Sequence, residues 1–307
     1  MSSPATTMPP GPARPMSKAA AAFQATRPLY LPTSLIPGLA GAMVALGTDG
    51  ADWALLPLVA LGILLTHACT DVTNETEDFA NGVDTLDTME NSGALTGGHL
   101  TVGEGRRLYA ALGLAALAVA AVLAVLQSPW AFVYGAVGVL GGFLYTGGPR
   151  PFKYLGLGDP LIIPLMGPLL TQGAYTALTG DPFHAPAFWL GFFPGLLIVS
   201  VLQANNAADI EGDSAAGVRT LAVRVGHPTA ERLVVASLVL TYLTPVLLWA
   251  AGLFEPWILL PLLTLPMAIG AARAAVGDLT PMLAPRIAQI HLLACLLLLT
   301  GVVLDGL

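Results

Sequence analysis

Two short segments of this 307-residue chain place amide and carboxylate oxygens at helical spacing. In DVTNETEDFANGVDTLD (71–87), Asp71, Asn74 and Asp78 fall at i, i+3 and i+7 and so share one helix face. In NNAADIEGD (205–213), Asn205, Asp209 and Asp213 do the same at i, i+4 and i+8. Carboxylates stacked one turn apart repel, and more so beside a low-dielectric phase. A divalent cation between them turns that repulsion into binding. A donor set of carboxylates and amide oxygens suits a hard ion such as Mg²⁺, which takes one or two carboxylates and completes its shell with water and phosphate oxygens.

A third segment, YTGGPRPFKYLGLGD (145–159), offers what a phosphorylated ligand needs. Gly147, Gly148 and Pro149 break a helix and let backbone approach a ligand closely, Arg150 and Lys153 supply cations, and Tyr145 a hydroxyl. Arg150 is equally explained as a basic flank of an apolar segment. Three further polar residues, His67, Gln203 and His291, interrupt apolar stretches. His67 lies one turn before Asp71, where an interhelical hydrogen bond and a substrate contact are both open to it.

The elements that position these groups are apolar. The chain is 55% hydrophobic and 10% charged, against about 25% charged in soluble domains, and its mean hydropathy is +0.74. Nine stretches reach spanning length, roughly 28–48, 52–70, 108–127, 130–146, 160–179, 186–204, 233–252, 256–272 and 287–304. They lack the alternation of barrel strands, so an all-α, nine-helix transmembrane bundle is expected over 27–307, after a disordered cytoplasmic tail over 1–26. With the N-terminus inside, all twelve Lys and Arg fall in loops on one side and none on the other, which puts the C-terminus outside. Fourteen of the nineteen acids also fall on the inner face, so a polybasic lipid-docking patch is not indicated. Cys69 and Cys295 lie inside predicted spans and read as small hydrophobes. The long loops, about 71–107, 147–159 and 205–232, are all cytoplasmic, and function is expected there. Asn74/Asp78 and Asn205/Asp209 end the second and sixth spans and hint at a duplicated four-helix unit. Within 71–87, Glu75, Glu77 and Asp87 read as solvated loop charge.

These residues resemble the UbiA superfamily of intramembrane aromatic prenyltransferases, which has nine helices and two Asp-rich cytoplasmic motifs. The resemblance runs through N-E-T-E-D-F-A-N-G-V-D (74–84) and N-N-A-A-D-I-E-G-D-S-A-A-G-V-R-T-L (205–221). The G-x-D ending of the first motif, the N-N-x-x-D-I-x-x-D form of the second, and F-L-Y-T-G-G-P…L-G-L-G-D between them are similar to the branch acting on 1,4-dihydroxy-2-naphthoate. The resemblance implies Mg²⁺ held by Asn74, Asp78, Asp84, Asp209 and Asp213. It implies catalysis centred on Asp78, Asp209 and Lys153. Asp71, Tyr145, Arg150, Lys153, Asn205, Asn206 and Arg219 would contact substrate. The implied reaction joins a polyprenyl diphosphate to an aromatic acceptor at the cytoplasmic side of the inner membrane, with no nucleic acid involved. It would give demethylmenaquinol for menaquinone biosynthesis, 4-hydroxybenzoate being the alternative acceptor. The chain departs from the branch at Glu75, where Asp is common, and at Ala208 and Val218, where Arg and Lys are frequent. Asp71 and His67 are open as the acceptor's base. A secondary transporter, the rival class, is disfavoured because transporters put coupling residues near the bilayer midplane, whereas these acids end spans.

Overall fold

The computed structural model describes residues 16–85, 91–277 and 280–306. Every regular element among them is a helix: α1 (Lys18–Ala25), α2 (Pro32–Met43), α3 (Leu56–Ala80), α4 (Val102–Leu126), α5 (Pro129–Thr146), α6 (Gly158–Met166), α7 (Pro168–Thr179), α8 (Ala185–Leu190), α9 (Phe192–Ala208), α10 (Ile210–Ala215), α11 (Leu221–Val225), α12 (His227–Ala250), α13 (Leu265–Gly277) and α14 (Leu283–Asp305), with short 3₁₀ turns between some of them. Eight helical segments are long and apolar enough to cross a bilayer. The remaining expected span, 28–48, is a shorter apolar helix at Pro32–Gly47. Pro32 starts it late, since proline lacks the N–H an interior position needs. The eight segments make this a multi-pass membrane protein.

Two spans are interrupted along their length. The segment Gly158–Thr179 divides at Gly167-Pro168 into α6 and α7, and Ala185–Ala208 divides at Gly191 into α8 and α9. The breaks lie against each other. A Cβ on Gly191 would overlap Pro168, and one on Gly195 would overlap the Ile163 carbonyl oxygen. Glycine is what lets these backbones touch. Around this crossing α2 packs on α7 and α14, α9 on α12 and α14, and α3 on α4 and α5.

Three expectations need correction. First, residues 18–25 are not a disordered tail. KAAAAFQA is rich in the best helix former, Ser17 accepts from the Ala20 N–H at its start, and Ala21 and Ala25 are buried against Val72, Leu95 and Leu100. Second, 71–80 is not loop. The α3 helix runs 25 residues, about 37 Å, and so overshoots a hydrocarbon core of about 30 Å by more than one turn. Third, Glu75 and Glu77 are not solvated. With about 100° between successive residues, the acids of α3 face different neighbours. Glu75 is fully buried, accepting from the Ser92 hydroxyl (2.5 Å) and N–H (3.2 Å), with Arg27 Nε 3.6 Å away. Glu77 accepts two hydrogen bonds from Arg106 (2.9 Å each) and one from Tyr109 (3.0 Å) on α4. The remaining one, Asp87, lies outside the described residues.

Candidate active site

The C-terminal end of α3 is closed by a Schellman turn. Gly82 adopts φ +74°, and the Val83 N–H donates to the Asp78 carbonyl (2.8 Å). The reversal brings Asp84 back beneath Asp78, where it is buried. The second motif ends the same way. Gly217 adopts φ +76°, and the Val218 N–H donates to the Asp213 carbonyl (2.8 Å). By these turns Asp78 corresponds to Asp213 (D-x-x-x-G-V in both), one helical turn later than the Asn74/Asp78 to Asn205/Asp209 pairing that the sequence suggested.

Asp78 is 3% exposed and both its oxygens are engaged. Lys153 Nζ donates to Oδ2 and the Tyr154 hydroxyl to Oδ1, each at 2.8 Å. A 3₁₀ turn at Lys153–Leu155, closed by Gly156 at φ +68°, presents these neighbours together. Tyr154 is a site residue that sequence reasoning missed, although it adjoins Lys153. Burial works against the Lys153 ammonium, but Asp78, Tyr145 and Asp213 around it outweigh that and hold its acidity well below that of an ordinary lysine. Lys153 therefore stays charged.

Two carboxyls flank this pair. Asp84 is pushed up to about 6 by burial, then by Asp78, with Lys153 and Arg27 opposing. Asp213 is pushed up to about 6 by burial, with Asp209 and Asp78 adding to it against Lys153 and the hydroxyl of Thr220, which donates to it at 3.1 Å. Asp209, at the break between α9 and α10, is exposed, and its carboxylate folds back over Gly212. Among the described residues, no three carboxylate, imidazole or thiol groups converge as a finished metal cage. The donors nonetheless fit a hard divalent ion. All are oxygens, Asn74 Oδ1 is buried without a hydrogen-bond partner, and the crowded carboxyls of Asp84 and Asp213 resist ionising until a cation compensates them.

Below this cluster opens a cavity of about 330 Å³. Arg27, Asp71, Asn74, Tyr145 and Asn205 line one end of it. Val59, Leu123, Ala131 and Ala177 line the other. Measured along α3 from Asn74 to Val59, it runs about 22 Å at 1.5 Å per residue. Glycines 135, 138 and 142 of α5 and Ala116 and Ala120 of α4 leave the space open along one wall. Arg27 is a second residue the sequence did not single out, having been read only as a basic flank. It takes a left-handed backbone (φ 46°), a conformation costly for a side-chain-bearing residue and often found at functional sites. Of the other residues expected here, Asn206 faces a minor pocket with Asp159 and Gln203 rather than the cavity. Arg150 and Arg219 are exposed.

The fold is that of known membrane-embedded helical bundles. A UbiA homologue from Archaeoglobus fulgidus bound to GPP and Mg²⁺ superposes with a TM-score of 0.66 at 17% identity, over 92% of this chain and 99% of that one. A UbiA homologue from Aeropyrum pernix superposes at 0.69 and 17% identity, over 91% and 98%. Sequence relatives are nearer. The 1,4-dihydroxy-2-naphthoate octaprenyltransferase of Bacillus subtilis is 30% identical over 85% of this chain and 83% of its own, and that of Mycobacterium tuberculosis is 34% identical over 80% and 82%. Human UbiA prenyltransferase domain-containing protein 1 is 31% identical over 94% and 84%. The model of the UbiA prenyltransferase family matches residues 34–303. The chain belongs to that family and is a prenyltransferase.

Proposed function

We propose that this protein transfers a polyprenyl group from its diphosphate to 1,4-dihydroxy-2-naphthoate, with loss of the acceptor's carboxylate, giving demethylmenaquinol for menaquinone biosynthesis. The observation that carries the reading is one cavity with an aliphatic interior, whose polar end, lined by Arg27, Asp71, Asn74, Tyr145 and Asn205, adjoins the Lys153–Asp78 pair through Tyr145 and the α3 helix. Such a cavity suits a molecule with a diphosphate head and an isoprenoid tail. The acceptor is chosen because relatives named for that acceptor match most of the chain.

In this reading Asn74, Asp78, Asp84, Asp209 and Asp213 hold Mg²⁺, which when bound draws negative charge from the leaving diphosphate. Lys153 neutralises diphosphate oxygens without having to be protonated first. Tyr154 and Asp78 fix the turn that carries it. The aliphatic walls keep water from the allylic carbon as its bond to oxygen breaks. The polar mouth faces the cytoplasm in the inner membrane, where soluble acceptor and lipid-borne donor meet.

The test is turnover by purified protein in lipid nanodiscs with Mg²⁺, a prenyl diphosphate series and each acceptor. Diphosphate and CO₂ released in step with the naphthoate, and abolished by chelation, is the expected result. Turnover with 4-hydroxybenzoate alone would reassign the acceptor, and turnover with neither would overturn the reading.

A further inference from the structure

The cavity contains a polar chain that the diphosphate chemistry above does not use. On α2 the Ser34 hydroxyl bonds His67 Nδ1 on α3, and His67 Nε2 lies 3.2 Å from Asp71 Oδ2 one turn further along. All three residues line the cavity. The Asp71 oxygen is buried and has no hydrogen-bond partner, although the imidazole nitrogen lies 3.2 Å from it. A buried carboxylate oxygen left this way calls for a donor from a ligand.

The position narrows what that donor is. Asp71 precedes Asn74 by three residues and Asp78 by seven, so it sits about 4 to 10 Å deeper along α3 than the diphosphate end. A carboxylate there repels an anionic phosphate and attracts a hydroxyl. The charged or titratable groups sharing that end are Arg27, Tyr30 and Tyr145. None of them has an oxygen that is a better proton acceptor than a carboxylate at neutral pH.

We infer that Asp71 and His67, oriented by Ser34, form the dyad that accepts the hydroxyl proton of the aromatic acceptor. The inference rests on the prenyl transfer proposed above and assigns the base for it. The acceptor's O–H bond breaks and the proton passes to Asp71 Oδ2, with His67 Nε2 3.2 Å away beside it. The oxygen electron pair enters the ring, and the ring carbon forms a bond to C1 of the prenyl group. The C–O bond to diphosphate breaks, and its pair leaves with the diphosphate. When the acceptor's carboxylate departs as CO₂, the pair it leaves restores the aromatic ring and the proton returns to the oxygen. Ser34 is a positioning residue here, setting the ring plane of His67.

The test compares Asp71→Asn, His67→Gln and Ser34→Ala in nanodiscs with Mg²⁺. Acceptors are the naphthoate and ring-fluorinated analogues with more acidic hydroxyls. Removing a general base costs on the order of 10²- to 10⁴-fold, so kcat is expected to fall by at least 100-fold in Asp71→Asn and His67→Gln. The Kd for prenyl diphosphate should stay within about threefold. The deficit should shrink as the acceptor hydroxyl becomes more acidic, which a merely structural defect would not produce. Ser34→Ala should lose a smaller factor. If the wild type works and either dyad variant keeps more than half its kcat, or loses the same factor with every acceptor, the dyad assignment is overturned. A wild type that prenylates neither acceptor would instead overturn the proposed function. A dyad variant whose thermal midpoint drops is replaced by His67→Asn or Asp71→Ser, read by the same criteria.

Discussion

At the scale of single residues, Lys153 and Asp78 are each other's main compensation, and their losses are expected to differ in kind from that of Tyr154. Lys153→Met leaves a buried carboxylate unpaired at a cost of about 3 kcal/mol, and removes a cation from the diphosphate at about 10²-fold in kcat/KM. Tyr154→Phe removes one hydrogen bond (2.8 Å) and should cost no more than about tenfold. Thermal unfolding and steady-state kinetics on both variants check this, and equal losses would show that the pair is not special. The carboxyls of Asp84 and Asp213, both pushed up to about 6, set a pH dependence whose sign follows from linkage. Their folded-state values lie above the unfolded ones, so without metal they favour the folded state below about pH 4 and lose that contribution as pH rises through about 6. Bound Mg²⁺ needs both ionised. Added Mg²⁺ should therefore raise the thermal midpoint more at pH 7 than at pH 5. An equal rise at both would mean these carboxyls do not meet the ion.

At the scale of elements, the two Asp-rich motifs are helix endings rather than loops, and glycine decides where each chain reverses. Gly82 and Gly217 both have φ near +75°, so Gly82→Ala and Gly217→Ala should each cost about 1 kcal/mol. Gly82→Ala should also weaken Mg²⁺-dependent activity by displacing Asp84, while Gly217→Ala acts through Asp213. A Mg²⁺ titration of activity reads both, and unchanged half-saturation would detach the turns from the site. The broken spans are a different use of glycine. Gly195 touches the Ile163 carbonyl across the bundle, so even Gly195→Ala must push α6 and α9 apart, and loss of folded protein is the outcome to look for by size-exclusion in detergent.

At the scale of the whole molecule, two properties follow from how the helices assemble. The proposed orientation puts Arg150 in the cytoplasm and Gly252 outside, and both residues are exposed. Cys69 and Cys295 are buried, so Arg150→Cys and Gly252→Cys are clean reporters. A membrane-impermeant maleimide applied to intact cells should label position 252 alone, and labelling at 150 would invert the topology. The cavity's length should set donor preference. Filling its aliphatic end with Ala177→Phe should lower kcat/KM for long prenyl diphosphates at least tenfold more than for a ten-carbon donor.

Much of this was legible in residue order. Length and all-round hydrophobicity dictate spanning helices, because backbone in lipid must satisfy itself within each segment. The Asn and Asp spacing marks one face of α3, because helical period is local. Lys153 was legible too, as a cation beside glycines that break a helix. Other features depend on neighbours far away in the chain. Glu75 and Glu77 look like Asp78 in sequence, yet Ser92, Arg106 and Tyr109 take them out of the site, and only Asp78 meets Lys153. Arg27 looks like a basic flank until the turn before α2 lays it against the cavity. Asn206 neighbours Asn205 in sequence, yet about 100° of helix separates their faces and turns Asn206 to another pocket. Residue types and local periodicity are properties of the chain. Which carboxylate is left facing the cavity is set by what packs against the others, and that is decided in three dimensions.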